Sequence, residues 1–185
     1  MTWLLIVLLV VVVIAVIYVI AAYNGLIRSR NQIENAWSQI DVQMKRRIDL
    51  IPNLIETVKA YAAHERNTLE AVIQARNAAM SAGPTPHEQA AADQQITGAL
   101  RQLFALGEAY PDLKANQNFL ALQEELSATE GRVAYARQFY NDSVLTYNNK
   151  LQAFPTVFIA RAMKFDRREY FETDEASREV PKVQF

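Results

Sequence analysis

The sequence contains no cysteine. This absence excludes disulfide bonds, a thiolate nucleophile and thiolate metal ligands, but it does not identify the compartment. Glycine and proline are also scarce, with five and six residues among 185. Because long stretches contain neither of these helix-interrupting residues, the chain is predicted to form long helices rather than many short strands.

Neither sign of charge is in excess. The chain has 19 Lys and Arg residues and 20 Asp and Glu residues, which gives a formal net charge of −1. This balance creates no overall field that would attract nucleic acid, so no nucleic-acid partner is expected.

Charge is missing altogether from residues 3–22, WLLIVLLVVVVIAVIYVIAA. A helix of this length rises about 30 Å, which matches the hydrocarbon core of a bilayer. No Lys or Arg precedes the run, and it is about twice as long as the apolar part of a signal peptide. We therefore expect an uncleaved transmembrane helix within an anchor of residues 1–25, with cleavage near Tyr23 as the alternative.

Basic residues follow the apolar run but do not precede it. Arg28 and Arg30 come first, and the run Lys45–Arg47 comes later. The positive-inside rule therefore predicts that the C-terminal domain is cytoplasmic, unless these residues serve the soluble domain instead. Lys45–Arg47 is interpreted as a solvated helix face, with lipid phosphates as the alternative ligand.

Apolar residues recur at helical spacing in four segments beyond the anchor. The strongest pattern is the fourth, in which ten residues follow one another at intervals of three or four. The second helix is interrupted near its start by Pro52, which favours a turn with Asp49 as N-cap over a kinked continuous helix. The first stripe predicts that Trp37 is buried against the second or the fourth helix. The predicted helices cover about residues 26–48, 51–80, 87–107 and 119–151.

No catalytic, cofactor-binding or metal-binding residue is predicted. His64 and Glu65 begin a zinc-protease motif, but Thr68 stands where that motif needs its second histidine. A di-iron bundle needs Glu three residues before each histidine, and Tyr61 precedes His64 at that position. The sequence also lacks a glycine-rich phosphate loop, so a non-enzymatic protein without cofactors is expected.

The polar string from Tyr110 to Asn116 interrupts the helices. Its structural interpretation is a turn set by Pro111, with Asp112 capping the fourth helix. The alternative is a partner-binding loop. In that case the candidate contact residues are Tyr110, Asp112, Lys114 and Asn116.

Basic and apolar residues alternate between residues 156 and 168, where one short helix is predicted. If the fourth helix returns toward the membrane, this segment lies near the lipid surface. Packing against the base of a helical bundle is the alternative. The candidate lipid-contacting residues are Arg161, Lys164, Arg167 and Arg168.

Some apolar residues fall outside the predicted buried stripes. Tyr135 and Phe139 lie beside the seam of the fourth helix, and Leu54 lies beside the stripe of the second. Exposed apolar patches commonly contact a partner, so these residues predict a symmetric homo-oligomer. The alternative is that the chain's own C-terminal tail covers them.

Several strings along the whole chain resemble the LemA family of bacterial membrane proteins. They are YN at 23–24, AWSQIDVQ at 36–43, KRRIDLIPNL at 45–54, YAAHE at 61–65, EAYPDLKAN at 108–116, NF at 118–119, RQFYN at 137–141 and YFE at 170–172, with Pro181. The resemblance implies an N-terminal anchor and an up-and-down four-helix bundle. It implies no settled activity, although some members are encoded near membrane metalloproteases.

Together these expectations describe an all-α protein with three parts. An N-terminal transmembrane helix (1–25) precedes an elongated up-and-down four-helix bundle (26–153), and a short helix with an extended C-terminal tail (154–185) follows. The expected function is that of a non-catalytic, self-associating scaffold or adaptor in the bacterial inner membrane. Its expected partners are the lipid bilayer and another membrane protein, such as a membrane protease. The alternatives are a periplasmic domain and a role in membrane remodelling or microdomain organisation.

Overall fold

The computed structural model describes residues 1–171, and this part of the chain is helical without any strand. The all-α prediction is therefore confirmed. The extended strip expected at residues 180–185 lies outside the described residues. The helices are α1 (Thr2–Lys59), α2 (Arg66–Met80), α3 (Pro86–Ala109), α4 (Pro111–Lys114), α5 (Gln117–Gln152) and α6 (Thr156–Ala162).

The predicted turn at Pro52 is wrong. Helix α1 runs from the apolar segment through Pro52 to Lys59, so Asp49 lies inside a helix and caps nothing. Proline costs one backbone hydrogen bond, but the residues around it, such as Leu54, are buried in the core. Because tertiary packing supplies most helix stability in proteins, that burial keeps the helix intact. The chain turns instead at residues 60–65.

The described chain divides into two compact units. Unit 1 contains Met1–Ser38 and Gln138–Tyr170, and unit 2 contains Gln39–Arg137 together with Phe171. The division falls within α1 and within α5, so each of these two helices contributes residues to both units.

Unit 2 has one apolar core, built from α2, α3 and the parts of α1 and α5 that belong to it. The stripes predicted for the second and third helices are buried there, as is the first half of the fourth. The core includes Ile51, Leu54, Ile55, Val58, Ala62, Leu69, Val72, Ile96, Leu100, Leu103, Leu113, Phe119 and Leu126.

Leu54 is fully buried in this core, so its expected place on an exposed contact surface is wrong. Leu54 follows Ile51 by three residues and precedes Val58 by four, and the helix is continuous through Pro52. Residues at this spacing lie on one helix face. The buried face of α1 is simply wider than one stripe.

Side chains at two helix starts explain where the loops end. The Thr85 hydroxyl accepts the Glu88 N–H, and the Glu88 carboxylate accepts the Thr85 N–H in return, both at 3.3 Å. Hydrogen bonds from Thr85 lower the pKa of Glu88. Asn116 accepts the Phe119 N–H at 3.0 Å, so Asn116 caps α5. The prediction that Asp112 caps this helix is wrong, because Asp112 lies in the first turn of the short α4.

Unit 1 packs α1 against the second half of α5. The apolar seam predicted for the fourth helix continues here as buried residues from Tyr140 to Leu151. Trp37 is half-buried rather than fully buried, and its ring lies 5.5 Å from that of Tyr140. The expected contact between Trp37 and the fourth helix is present, but solvent reaches part of the indole.

Candidate functional site

Among residues 1–171, no group of three or more His, Asp or Glu side chains is arranged to hold a metal ion. The features of interest are a buried ionic network, the loop at Tyr110, a groove beside Tyr135 and the surroundings of α6.

The ionic network joins three helices of unit 2. Arg47 of α1 donates to Asp93 of α3 at 2.7 Å and to Thr97 at 3.0 Å. Arg137 of α5 donates to the second oxygen of the same Asp93. Arg47 is 1% exposed and Asp93 4% exposed, so the central pair is shielded from water.

The network corrects the expectation that Lys45–Arg47 forms a solvated face. Lys45 and Arg46 are exposed, but Arg47 is not. A signal in the sequence could have indicated this, because Arg47 follows Met44 by three residues and precedes Ile51 by four. A lone arginine on an apolar stripe requires a buried partner, and its partner Asp93 precedes Ile96 on the stripe of α3.

The loop residues at Tyr110 pair mainly within unit 2. The Tyr110 hydroxyl donates to Glu65 at 2.9 Å, and this hydrogen bond, with burial, raises the pKa of Tyr110. Asn116 donates to the Tyr61 hydroxyl at 3.0 Å. Lys114 pairs with Glu108 at 2.5 Å, while Asp112 is exposed. These contacts support the structural interpretation of the loop, and its partner-binding role stays a prediction.

A groove of about 480 Å³ runs between α1 and α5 in unit 2. Its walls combine small residues with polar ones and one projecting aromatic ring. Tyr135 is 71% exposed at this groove. A Cβ added to Gly131 would meet no atom within 4 Å, so the groove is open at that position. The lining residues are Gln39, Gln43, Ala128, Gly131, Arg132, Tyr135 and Ala136.

The other apolar candidates differ from Tyr135 in exposure. Phe139 is half-buried in unit 1, and Leu54 belongs to the core of unit 2. Of the three residues expected on a contact surface, Tyr135 alone is strongly exposed.

The surroundings of α6 bring the apolar N-terminal run and the basic segment together within unit 1. The hydroxyl groups of Tyr18 and Thr156 are 3.1 Å apart, and the rings of Tyr23 and Phe165 are 5.8 Å apart. Arg161, Lys164, Arg167 and Arg168 are all exposed.

The segment that follows α6 is attached to α5. Tyr147 and Tyr140 donate to the carbonyl groups of Asp166 and Glu169 at 3.1 Å and 3.0 Å. Burial raises the pKa of both tyrosines. Asn148 both donates to and accepts from the backbone of Arg168. These bonds hold residues 166–169 against α5.

α1 is the one helix in the described part of the chain that is long and apolar enough to cross a membrane. None of its most apolar 18-residue window is buried within the structure. Both observations fit a membrane anchor.

Comparison with known proteins gives one family and several relatives. The model of the LemA family matches residues 36–185. Protein LemA of Metamycoplasma hominis is 29% identical over 158 residues, which cover 84% of this chain and 71% of the relative. Magnetosome protein MamQ 2 of Paramagnetospirillum magneticum is 25% identical, over 81% of this chain. Magnetosome protein MamQ of Magnetospirillum gryphiswaldense is 25% identical over 80% of this chain. The chain spans 64% of the length of each of these two magnetosome proteins.

Proposed function

Because the chain belongs to the LemA family and its N-terminal helix fits a membrane anchor, we propose that this membrane-associated protein is a non-catalytic scaffold that self-associates through the groove beside Tyr135. The bacterial inner membrane, with the C-terminal domain in the cytoplasm, is part of the same proposal.

The observation that carries the proposal is the exposed Tyr135 beside an open groove on the same face of unit 2. The groove is lined in part by the small residues Ala128, Gly131 and Ala136. Because their side chains project little, the backbone of another helix can approach closely. Tyrosine is enriched in protein interfaces because it adds a large apolar area and one hydrogen-bonding group.

A second copy of this chain is the occupant that we propose. In a two-fold symmetric contact the same surface is used by both copies, so a projecting ring must lie near the groove that receives its equivalent. Tyr135 lines the groove and meets this condition. Membrane anchors also hold the copies in one plane, which raises their effective concentration.

Gly131→Leu is expected to prevent self-association without unfolding the protein. The leucine side chain occupies part of the groove, and its Cβ meets no atom of the same copy within 4 Å. Replacing a helical glycine also stabilises the helix by roughly 0.5–1 kcal/mol. Size-exclusion chromatography with light scattering, performed in detergent across concentrations, should show the dissociation constant rising at least about tenfold.

Gly98→Leu is the matched control, since Gly98 is also an open helical glycine of unit 2 but does not line the groove. It should retain the oligomer. Monomeric wild-type protein, or equal loss of association in both variants, contradicts a self-association role for the groove.

A reporter fused after Phe185 is expected to behave as a cytoplasmic protein. The reason is that the basic residues Arg28 and Arg30 closely follow the apolar run. Paired fusions to alkaline phosphatase, which is active after export, and to a fluorescent protein that folds in the cytoplasm measure the topology. High phosphatase activity with no fluorescence would place the domain in the periplasm.

A further inference from the structure

The segment around α6 carries an unpaired positive charge. Between residues 154 and 170 there are four basic side chains and two acidic ones. Arg161, Lys164 and Arg167 are exposed, and none of them forms an ion pair with another residue of the described chain. Arg168 approaches Glu34 at 3.9 Å and is itself half exposed. Three cationic groups are therefore available to an anionic ligand.

Large apolar side chains are exposed in the same segment. Phe154 is 82% exposed, Phe158 62% and Met163 54%. The rings of Phe154 and Phe158 meet edge to face at 6.0 Å, so they form one apolar surface. Exposed aromatic rings close to Lys and Arg side chains are typical of segments that lie in the interface of a bilayer.

Two contacts place this segment beside the end of the apolar run. Thr156, at the start of α6, is hydrogen-bonded to Tyr18, and Phe165, beyond its end, packs on Tyr23. Tyr18 lies four residues before the end of the run at Ala22. Tyrosines in such positions lie at the level of the lipid headgroups. When residues 3–22 span the bilayer, α6 therefore reaches that level too.

We infer that the juxtamembrane patch, defined as Phe154, Phe158, Arg161, Met163, Lys164 and Arg167, binds anionic phospholipid. The aromatic rings and the thioether enter the interface between headgroups and acyl chains. The guanidinium and ammonium groups bind phosphate oxygens, and each cation near an anionic surface strengthens the attraction. The patch thereby selects acidic lipids around the anchor, a property that does not depend on self-association through the groove.

The depth of Phe158 in the membrane can be measured directly, because the chain has no cysteine and a single one can be introduced without other changes. Full-length Phe158→Cys carries a nitroxide label and is reconstituted into vesicles of phosphatidylcholine and phosphatidylglycerol in equal amounts. Power-saturation spectroscopy is expected to show higher accessibility to oxygen than to a water-soluble nickel chelate. Leu145→Cys, on the exposed side of α5, is the control and should favour the chelate.

Lipid selectivity tests the charges. In Arg161→Gln/Lys164→Gln/Arg167→Gln the preference for spin-labelled phosphatidylglycerol over phosphatidylcholine is expected to fall at least about threefold. Lys45→Gln/Lys59→Gln/Arg101→Gln removes the same charge from exposed positions of unit 2 and should retain the preference. Circular dichroism checks that both variants remain helical.

Two results would overturn the inference. One is a label at position 158 that is as accessible to the chelate as the label at 145. The other is an unchanged lipid preference in the folded triple variant of the patch. Loss of self-association in Gly131→Leu leaves both measurements unaffected, so this inference and the scaffold proposal fail separately.

Discussion

Replacing Asp93 by alanine is expected to lower the free energy of unfolding by about 3–5 kcal/mol. Asp93 accepts hydrogen bonds from Arg47 and Arg137, and the Arg47 side chain is 2% exposed. Without the carboxylate, the partners left to the Arg47 guanidinium among residues 1–171 are Thr97 and the more distant Glu130, 3.5 Å away and half exposed. A buried cation that loses its partner retains the full cost of its desolvation.

Unfolding of the full chain in detergent by urea, followed by far-ultraviolet circular dichroism, measures this loss. Glu125→Ala is the control, because Glu125 also pairs with two arginines, Arg46 and Arg132, at the surface. Exposed pairs contribute about 1 kcal/mol or less. Equal effects of the two substitutions would contradict the burial of the network.

A double variant separates the cost of an unpaired charge from the loss of packing. Arg47→Met/Asp93→Leu removes both fully buried charges and replaces them with apolar side chains. Arg137 loses its Asp93 partner here as it does in Asp93→Ala, so the comparison isolates the charge of Arg47. Because apolar replacements of buried ion pairs are commonly neutral or stabilising, the double variant is expected to be more stable than Asp93→Ala. If the double variant is less stable than Asp93→Ala, the hydrogen bonds and packing of the network contribute to the free energy of unfolding beyond the neutralisation of the two charges.

Leu54→Ala is expected to lower the free energy of unfolding by about 2–5 kcal/mol. Leu54 is 0% exposed within the core of unit 2, close to Pro52 on a helix that has lost one backbone hydrogen bond. The substitution removes apolar area from the core and leaves a cavity, and both terms are unfavourable. Thermal unfolding of the full chain in detergent gives the measurement.

Leu145→Ala is the matched control, since Leu145 is a helical leucine that is 48% exposed. Its substitution should change stability by less than about 1 kcal/mol. The self-association of folded Leu54→Ala should equal that of the wild type, because this side chain is not at the surface. A stable variant with weakened association would restore Leu54 to the contact surface and contradict its burial.

Helix positions followed from the sequence where the signal was local. The seam from Phe119 to Leu151 predicted α5. The third helix was predicted to begin at about residue 87, and α3 begins at Pro86, where the reciprocal cap of Thr85 and Glu88 involves neighbouring residues only. The turn at Pro52 was predicted by an equally local rule and is wrong. The cost of a proline within a helix is local, since it removes one backbone hydrogen bond. The compensating burial of α1 side chains depends on α2 and α3, which are distant in sequence.

The contact surfaces were less accessible to prediction than the helices. Tyr135 and Leu54 both lie beside a predicted apolar stripe, yet one is 71% exposed and the other 0%. Periodicity indicates the direction of a side chain but not the number of helices around it. Leu54 lies in a core formed by several helices, while Tyr135 lies at an open groove.

By itself the sequence determined the apolar N-terminal helix, the helical class and most of the buried stripes, because each depends on composition or on spacing within one segment. Only the tertiary structure decided that Arg47 is neutralised by a residue 46 positions away, and that the basic segment after α5 meets Tyr18 across 138 positions. Such contacts depend on how separate helices pack. That packing is set by the combined burial of many side chains, which no single segment of the sequence contains.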